Sequence, residues 1–576
     1  MMRRRPFVLL IVCTLPAVRA AAIDLPKRGQ EPDVDRIIAS MTLEEKVGQL
    51  LMIGFGGTQV TPHIRKWIRD RHVGGVALFS RNIVDFEQTV RFTRELHQQA
   101  DGHIPIFIAL DQEGGNVVRV KDGAIILPGN MALGASRSPT LAYVAGQSLA
   151  IDLRLLGFNM NLAPVLDINS NPQNPVIGIR SYGERPELVG ELGTWYVRGQ
   201  QEMGVVAVAK HFPGHGDTQS DSHFAMPAID ADLSRLEAVE LWPFRRAMDA
   251  GLDAVMTAHI ALPQIAEESH LPATLSRTIL TRILRKGMGF QGVVITDGLE
   301  MQGIVEQYGS GRAAVMAVQA GADMPMILWT IKKKEEVYRT LLKAVRNGEI
   351  SRKRLDRSVR RILTVKARRG LFDRDIEPLK SVLASGNDNP VHDQVSTRIA
   401  REAVTLVRNH ADVLPIRSVR YRKITVVAPP GGFGAIMARE PNVEVLTVPY
   451  IPNRTRRRED VARAVKMAKE SDLLVLAVVN RYHMEMARRI TSSLPHLPVA
   501  LLSFASPYYL MSLPDVDAYV CTYSYLEMAQ VSAAHAVLGQ VPMTGRLPIS
   551  IPGFYPYGHR VESPVASLPT VSASVR

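Results

Sequence analysis

Cysteine is almost absent from this 576-residue sequence, which contains only Cys13 and Cys521. We expect Cys13 to be removed with a leader segment, so the mature chain keeps one cysteine and cannot form an intrachain disulfide. The scarcity also argues against a structural zinc site, whose ligands commonly include cysteines.

An apolar run long enough to span a membrane is also lacking. Three arginines precede a short apolar stretch from Phe7 to Val18, and three alanines follow it at residues 20–22. This order predicts a signal peptide over residues 1–22 and export to the periplasm or the cell exterior. The alternative is an uncleaved anchor; after cleavage no stable membrane insertion is expected.

Positive charge is plentiful but dispersed. The formal net charge is +13, and removing residues 1–20 deletes four arginines and no acid, which leaves +9. The run Arg454–Arg458 is isolated and has no interleaved aromatics, so nucleic acid is not an expected partner. Anionic cell-wall polymers would suit a basic exported protein, and an ordinary solvated surface explains the charge equally well.

Eight apolar runs alternate with helical patterns between about residues 45 and 330. They are Leu50–Phe55, Gly75–Phe79, Ile106–Asp111, Phe158–Asp167, Val205–His211, Ala254–His259, Gly292–Asp297 and Ala322–Leu328. Their mostly uninterrupted apolar character predicts an α/β fold with a parallel sheet closed as a (β/α)8 barrel; an open doubly wound sheet is the alternative. The last run is the weakest, because Pro325 cannot donate to a central ladder.

Five of these runs end in a polar side chain, and in a barrel such ends converge on one rim, where active sites lie. The five are Asp111, Asp167, His211, His259 and Asp297.

The domain boundaries follow from composition. We predict the barrel domain over residues 31–372, a linker over 373–393, a smaller three-layer α/β sandwich over 394–560 and a frayed tail over 561–576. Within the sandwich, the turn Gly431–Gly434 lacks the dinucleotide-binding spacing, and no acid ends the next strand, so no nucleotide cofactor is expected.

The most informative segment is KHFPGHGDTQSDSH, Lys210–His223, which follows an apolar strand. Its prolines and glycines predict a loop, and we expect Phe212–Ser222 to be mobile until substrate binds. An aspartate that is hydrogen-bonded to a histidine, here Asp221 and His223, orients the imidazole and stabilises its protonated form. The imidazole can then protonate a leaving group and later deprotonate water. A loop structured by Asx turns is the simpler alternative.

A metal site is a competing interpretation of this segment, since His215, Asp217, Asp221 and His223 could all be ligands. The adjacent cation Lys210 and the lack of cysteine count against it, so no metal is expected.

Two other carboxylates are candidate catalytic or ligand-binding groups. Asp297 ends an apolar strand, where it would be held rigidly as a nucleophile requires, or else caps the following helix. Asp111 begins Asp-Gln-Glu-Gly-Gly, whose glycines allow close ligand approach, and Arg119 follows eight residues later. Acceptors and charged donors together suit a polyhydroxylated ligand; for Arg119 alone, a structural salt bridge is as good an explanation.

The fourteen-residue segment closely resembles the signature of the β-N-acetylglucosaminidase branch of glycoside hydrolase family 3. Further matches occur in the family's order, and the resemblance covers most of the mature chain. They are Asp111–Gly115 with Arg119, Arg180 within Ile179–Gly183, Met256–Ile260, Thr296–Asp297, Ala403–Asn409 and Gly545–Pro552.

The resemblance implies a retaining exo-β-N-acetylglucosaminidase that removes terminal β-linked GlcNAc from muropeptides or chitin-type oligosaccharides, without metal or organic cofactor. It implies Asp297 as the nucleophile and His223 as the acid/base, with Asp221 as its partner. Asp111, Arg119, Arg180, Lys210 and His211 resemble the sugar-binding set.

Two positions depart from the family pattern. Asn116 stands where arginine is common, and Gly298 stands where aspartate is frequent, so substrate preference is less certain than the chemistry. A phosphorylase that uses phosphate instead of water is one rival, because a histidine acid/base carries no negative charge to repel it. A non-catalytic wall-binding barrel is the other, although it would need no nucleophile. The β-glucosidase branch lacks the Asp-x-His loop.

Overall fold

The barrel expected from the apolar runs is present and closed. The computed structural model describes residues 32–101, 104–220, 226–265, 271–372 and 390–562. Eight parallel strands pair in chain order, and the eighth pairs with the first, which confirms the (β/α)8 prediction. They are β1 Met52–Gly54, β2 Gly75–Ala77, β3 Phe107–Leu110, β4 Met160–Asn161, β5 Val206–Phe212, β6 Ala254–Thr257, β7 Val293–Gly298 and β8 Met324–Ile327.

Proline accounts for two irregularities in the barrel. β4 covers only two residues of its apolar run, and Pro164, which has no N–H to donate, lies three residues after it. In β8 the pairing with β7 shifts register between Met324 and Met326, on either side of Pro325. The ladder is therefore broken where no donor is available, and β8 still closes the barrel.

Helices surround the barrel, and capping residues set several of their ends. Asp85 accepts from the Gln88 amide at the start of α4, and Ser351 accepts from the Arg354 amide at the start of α13. A π-helix spans Thr278–Gly287. The α-helices are α1 Val34–Ser40, α2 Leu43–Gln49, α3 Pro62–Arg69, α4 Phe86–Gln99, α5 Asn130–Ser136, α6 Pro139–Leu155, α7 Pro186–Glu202, α8 Leu233–Ala238, α9 Trp242–Asp249, α10 Gln302–Tyr308, α11 Ser310–Ala320, α12 Ile331–Arg346 and α13 Arg352–Arg368.

The second domain is a six-stranded sheet between two groups of helices, as predicted for an α/β sandwich. Its strands are β9 Thr405–Asn409, β10 Ile424–Ala428, β11 Val443–Thr447, β12 Leu473–Val478, β13 Val499–Ser503 and β14 Ala518–Cys521, in the order β11-β10-β12-β13-β14-β9. Its helices are α14 Pro390–Ala403, α15 Gly432–Met437, α16 Arg454–Ala468, α17 Arg481–Ser493 and α18 Glu527–Val537. The sequence did not predict β9, which pairs antiparallel with β14 at the sheet edge.

Several predicted segments fall partly or wholly outside the described residues. The signal peptide over 1–22 does so entirely, as does nearly all of the tail. Helix α14 begins at Pro390, inside the predicted linker, whose residues 373–389 are not described. Within the described ranges, no helix combines the length and apolarity that crossing a bilayer needs.

A side chain of the second domain itself binds the glycine turn Gly431–Gly434. At the start of α15 the Gly432 amide donates to a carboxylate oxygen of Glu527 at 3.1 Å. An acidic side chain therefore occupies the helix N-terminus that a nucleotide phosphate would need.

The two domains are joined by specific polar contacts. Glu184, just before α7, accepts hydrogen bonds from both the amide and the hydroxyl of Ser550, each at 2.7 Å. The Arg137 guanidinium lies 4.2 Å from the ring centroid of Tyr557 and donates to the Leu547 carbonyl at 2.8 Å. These contacts join the second domain to the connections that follow β3 and β4.

Replacing Glu184→Ala should weaken this junction, because the Ser550 amide and hydroxyl both lose their acceptor. We expect a loss of about 1–3 kcal/mol, seen as a lower thermal unfolding midpoint and faster proteolysis between the domains. Glu187→Ala, which removes an exposed carboxylate from the first turn of α7, is the control. Equal midpoints for both variants would show that the contact does not hold the domains together.

Candidate active site

A buried cluster of charges lies at the carboxyl ends of β3 and β5. The Lys210 ammonium contacts Asp111 at 2.8 Å and Glu113 at 2.6 Å. Arg180 donates two hydrogen bonds to Glu113, at 2.9 and 2.8 Å, and Arg119 contacts Asp111 at 3.4 Å. The structure thus brings four of the five predicted sugar-binding residues into one cluster.

The cluster has a closed side and an open side. The side chains of Lys210 and Glu113 are 2% and 3% exposed, whereas those of Asp111 and Arg119 are 17% and 31% exposed. A ligand can therefore reach Asp111 and Arg119, while Lys210 and Glu113 support them from below.

In this cluster, burial and the neighbouring charges shift the pKa values of the side chains in opposite directions, and the neighbouring charges have the larger effect. Burial alone would raise the pKa of Glu113, but Arg180 and Lys210 hold it well below its usual value. Burial alone would lower the pKa of Lys210, but Asp111 and Glu113 raise it above its usual value. Glu113 and Lys210 are therefore both charged at neutral pH and form a fixed acceptor and a fixed donor.

His211, the fifth predicted residue, is oriented by Asp167. Its Nδ1 lies 2.6 Å from one Asp167 oxygen, and the other oxygen accepts from the amides of His211 at 3.1 Å and His215 at 2.7 Å. Burial would raise the pKa of Asp167, but His211 and His215 keep it below the usual range. The carboxylate predicted at the end of the fourth apolar run is therefore a buried support for the loop after β5.

The base of that loop is packed tightly. A Cβ at Gly216 would lie 1.6 Å from the carbonyl oxygen of Ile168, and one at Gly214 would lie 2.8 Å from Cβ of Glu240. The Asn174 amide further donates to the carbonyls of His215 and Gly216. These glycines permit close packing, and the mobility of the loop before substrate binds stays a prediction. Asp221 and His223 lie outside the described residues.

Two of the residues weighed as metal ligands have other partners. Nδ1 of His215 lies 2.8 Å from the Thr218 hydroxyl, and Asp217 pairs with Arg235 at 3.2 Å. Burial and the nearby His211 lower the pKa of His215 to about 4, so its imidazole is neutral at neutral pH. In the part of the chain that the structure describes, no three histidine, cysteine or carboxylate side chains are grouped as metal ligands.

Asp297 lies at the carboxyl end of β7, as predicted. One of its oxygens accepts from the Gly298 amide at 2.7 Å. The Gly298 carbonyl lies 3.1 Å from Nε2 of His259, whose Nδ1 is 2.9 Å from the Thr274 hydroxyl. The polar end of β6 therefore braces the backbone beside Asp297, and the carboxylate sits on a rigid strand end.

An aromatic edge connects Asp297 to the charge cluster. The Arg119 guanidinium lies 5.9 Å from the Phe79 ring centroid, and Phe79 lies 6.5 Å from the ring of Trp329. A Cβ at Gly298 would be only 3.3 Å from the Trp329 ring. Because Trp329 is 45% exposed, it forms a free apolar surface next to Asp297.

Glu300 holds this tryptophan in place. Its carboxylate accepts from the amides of Leu328 at 2.6 Å, Trp329 at 2.7 Å and Thr330 at 2.7 Å. Three charge-assisted hydrogen bonds fix the backbone of the turn after β8, from which the indole projects.

Several of these residues were not predicted from the sequence. Glu113 lies within the motif Asp111–Gly115, and an acid between a strand end and paired glycines was a usable signal. Trp329 follows the weakest of the predicted strands, so the sequence carried no signal for it.

The second domain also reaches this region. The Tyr508 hydroxyl accepts from Asn169 at 3.0 Å, and Tyr523 lines a small cavity with Arg180.

Comparison with known proteins agrees with this geometry. The family model described as "Glycosyl hydrolase family 3 N terminal domain" matches residues 42–365. Beta-hexosaminidase A of Pseudoalteromonas piscicida is 32% identical over 416 residues, which cover 66% of this chain and 69% of the relative. The beta-N-acetylglucosaminidase/beta-glucosidase of Cellulomonas fimi is 28% identical over 550 residues, which cover 89% and 94%.

A solved structure is similar over the whole described fold. The glycoside hydrolase family 3 beta-N-acetylglucosaminidase of a Paenibacillus species superposes with a TM-score of 0.82 at 37% identity, covering 89% of this chain and 99% of that one. With more than half of the chain matched by the family model, and with both domains shared, this protein belongs to glycoside hydrolase family 3 and is a glycoside hydrolase.

Proposed function

We propose that this protein is a retaining exo-β-N-acetylglucosaminidase that releases terminal β-linked GlcNAc from muropeptides or chitin-type oligosaccharides. The observation that carries the proposal is the rim arrangement: a strand-end carboxylate, Asp297, connected by an aromatic edge to a fixed cluster of sugar-binding charges. Relatives named for β-hexosaminidase and β-N-acetylglucosaminidase activity support the choice of sugar.

In the first step the Asp297 carboxylate attacks the anomeric carbon, and the bond to the leaving oxygen breaks as His223 donates a proton to it. Asp221 favours the protonated imidazole. In the second step His223 takes a proton from water, whose oxygen displaces Asp297 and restores the carboxylate. Asp111 and Arg119 hold the sugar hydroxyls during both steps, and Lys210 and Arg180 keep them in position.

Phosphate is the alternative acceptor in the second step. A histidine acid/base does not repel it, and the cluster contains three cations against two carboxylates. Hydrolysis of chromogenic β-GlcNAc, β-GalNAc and β-Glc, each with and without phosphate, tests the proposal. Rapid phosphate-independent release from β-GlcNAc is expected. A strict requirement for phosphate would make the enzyme a phosphorylase, and no release would favour the non-catalytic barrel.

We further propose that the enzyme acts after export, because a signal peptide is predicted from its sequence.

Asp297→Asn should bind sugar and remain folded but lose turnover by several orders of magnitude, because an amide cannot form the glycosyl ester. The measurement is steady-state release from β-GlcNAc, with binding of a GlcNAc-like inhibitor and the unfolding midpoint as controls. Near-normal turnover in protein free of wild-type contamination would eliminate Asp297 as the nucleophile.

His223→Ala should lose far more activity on substrates with poor leaving groups than on activated aryl glycosides, because only poor leaving groups need a proton. Pre-steady-state rates on a dinitrophenyl and a methyl glycoside separate the two cases. Equal losses on both substrates would indicate a structural role for His223.

Chelation tests the metal interpretation of the same segment. Loss of wild-type activity on chelation, restored by zinc, would support that interpretation.

Trp329→Ala should raise KM for a GlcNAc disaccharide by about three- to tenfold, since an exposed indole beside the nucleophile can stack on the leaving sugar. KM for a methyl glycoside, which has no second ring, should change little. The matched control is Trp195→Ala, an exposed tryptophan on α7. If both substrates respond equally to Trp329→Ala, the indole does not contact the aglycone.

A further inference from the structure

A second, strongly basic cavity lies on the outer wall of the barrel. Its volume is about 840 Å³, and the π-helix, α11, α13 and the turn before α13 surround it. Arg285, which lines it, donates to the carbonyl of Gly292 at 2.7 Å, directly before β7. The cavity therefore adjoins the amino ends of the strands, at the opposite end of the barrel from Asp297 and the charge cluster.

The floor of this cavity has more cations than one carboxylate can balance. Asp323, directly before β8 and fully buried, contacts Arg285, Arg361 at 3.1 Å and Arg354 at 3.6 Å. Ser358 also donates to it at 2.6 Å. Three guanidinium groups thus share one carboxylate, which leaves an excess of positive charge in a poorly solvated place.

Arg285 is the most buried of the three arginines. Its side chain is 9% exposed, and its Nε has no hydrogen-bond partner among the described residues. Burial, with Arg361 and Arg354 nearby, lowers the pKa of Arg285 to about 10 even though Asp323 opposes the change. A buried guanidinium N–H without an acceptor is costly, and an anion in the cavity would supply one.

The walls add further positive charge. Arg277, Lys286 and Arg357 line the cavity, are exposed and have no carboxylate partner within the described ranges. Arg312 pairs with Glu349, the one acid that lines the cavity there. Among the described residues, seven cations therefore line the cavity against one lining carboxylate, Glu349, and Asp323 is buried beneath three of the guanidinium groups.

We propose that this cavity is a second binding site, separate from the sugar site, for a compact anion that carries two or more phosphoryl groups. Guanidinium forks match phosphate oxygens in pairs, and every phosphoryl group adds at least one negative charge, which suits the excess of cations. The volume suits a small molecule.

The test is calorimetric titration of the full-length mature enzyme with tripolyphosphate at constant ionic strength. One bound tripolyphosphate per chain is expected, and it should bind more tightly than citrate, a carboxylate anion of similar charge. The double variant Lys286→Gln/Arg357→Gln should bind about tenfold more weakly, because two unpaired cations leave the wall. Both residues are exposed, so the fold should persist.

Arg352→Gln/Lys353→Gln is the matched control: it removes the same charge from exposed positions on α13 that do not line the cavity. Unchanged affinity in this control supports the proposal. Equal weakening in both double variants, or citrate binding as tight as tripolyphosphate, overturns it. So does loss of tripolyphosphate binding when a GlcNAc-like inhibitor fills the sugar site, because the anion would then occupy that site.

Discussion

The contact of the buried Lys210 ammonium with two carboxylates is the interaction on which the charge cluster at the barrel rim depends. An ammonium group is stable out of water only if opposite charges surround it, and Asp111 and Glu113 supply them. Glu113 in turn needs Arg180 as well as Lys210, so removing any one member leaves an uncompensated buried charge. The cluster therefore ties the ends of β3 and β5 to the loop after β4 and sets the position of Asp111.

A similar arrangement supports the neighbouring loop. Asp167 accepts from two backbone amides and a histidine ring, so it anchors the start of the peptide chain after β5. Gly216 lets this chain lie directly against the Ile168 carbonyl. The two buried carboxylates, Glu113 and Asp167, thus act on the side chains and the backbone that surround the rim.

The barrel and much of the rim could be predicted because both depend on local patterns. Uninterrupted apolar runs indicate buried parallel strands, and polar residues at their ends indicate the rim; Asp111 and Asp297 were found this way. Glu113 was harder, since its direction depends on the left-handed turn at Gly114 and Gly115. Trp329 could not be found, because its place is set by Glu300, 29 residues earlier.

Two other features depend on distant parts of the chain. Glycine at positions 214 and 216 permits close contact with Ile168 and Glu240, which the local sequence pattern does not indicate. The edge strand β9 was not predicted because its partner, β14, lies more than a hundred residues further along the chain. Sequence patterns describe a segment, whereas these features belong to pairs of distant segments.

Gly298 and Trp329 form such a pair. The indole stands where a side chain at position 298 would begin, with only 3.3 Å between the ring and an added Cβ. A side chain at position 298 would therefore require its neighbours to shift by a few tenths of an ångström, whereas glycine leaves room for the indole as it stands. The departure from the family pattern at Gly298 thus places an apolar surface, and no second carboxylate, beside Asp297.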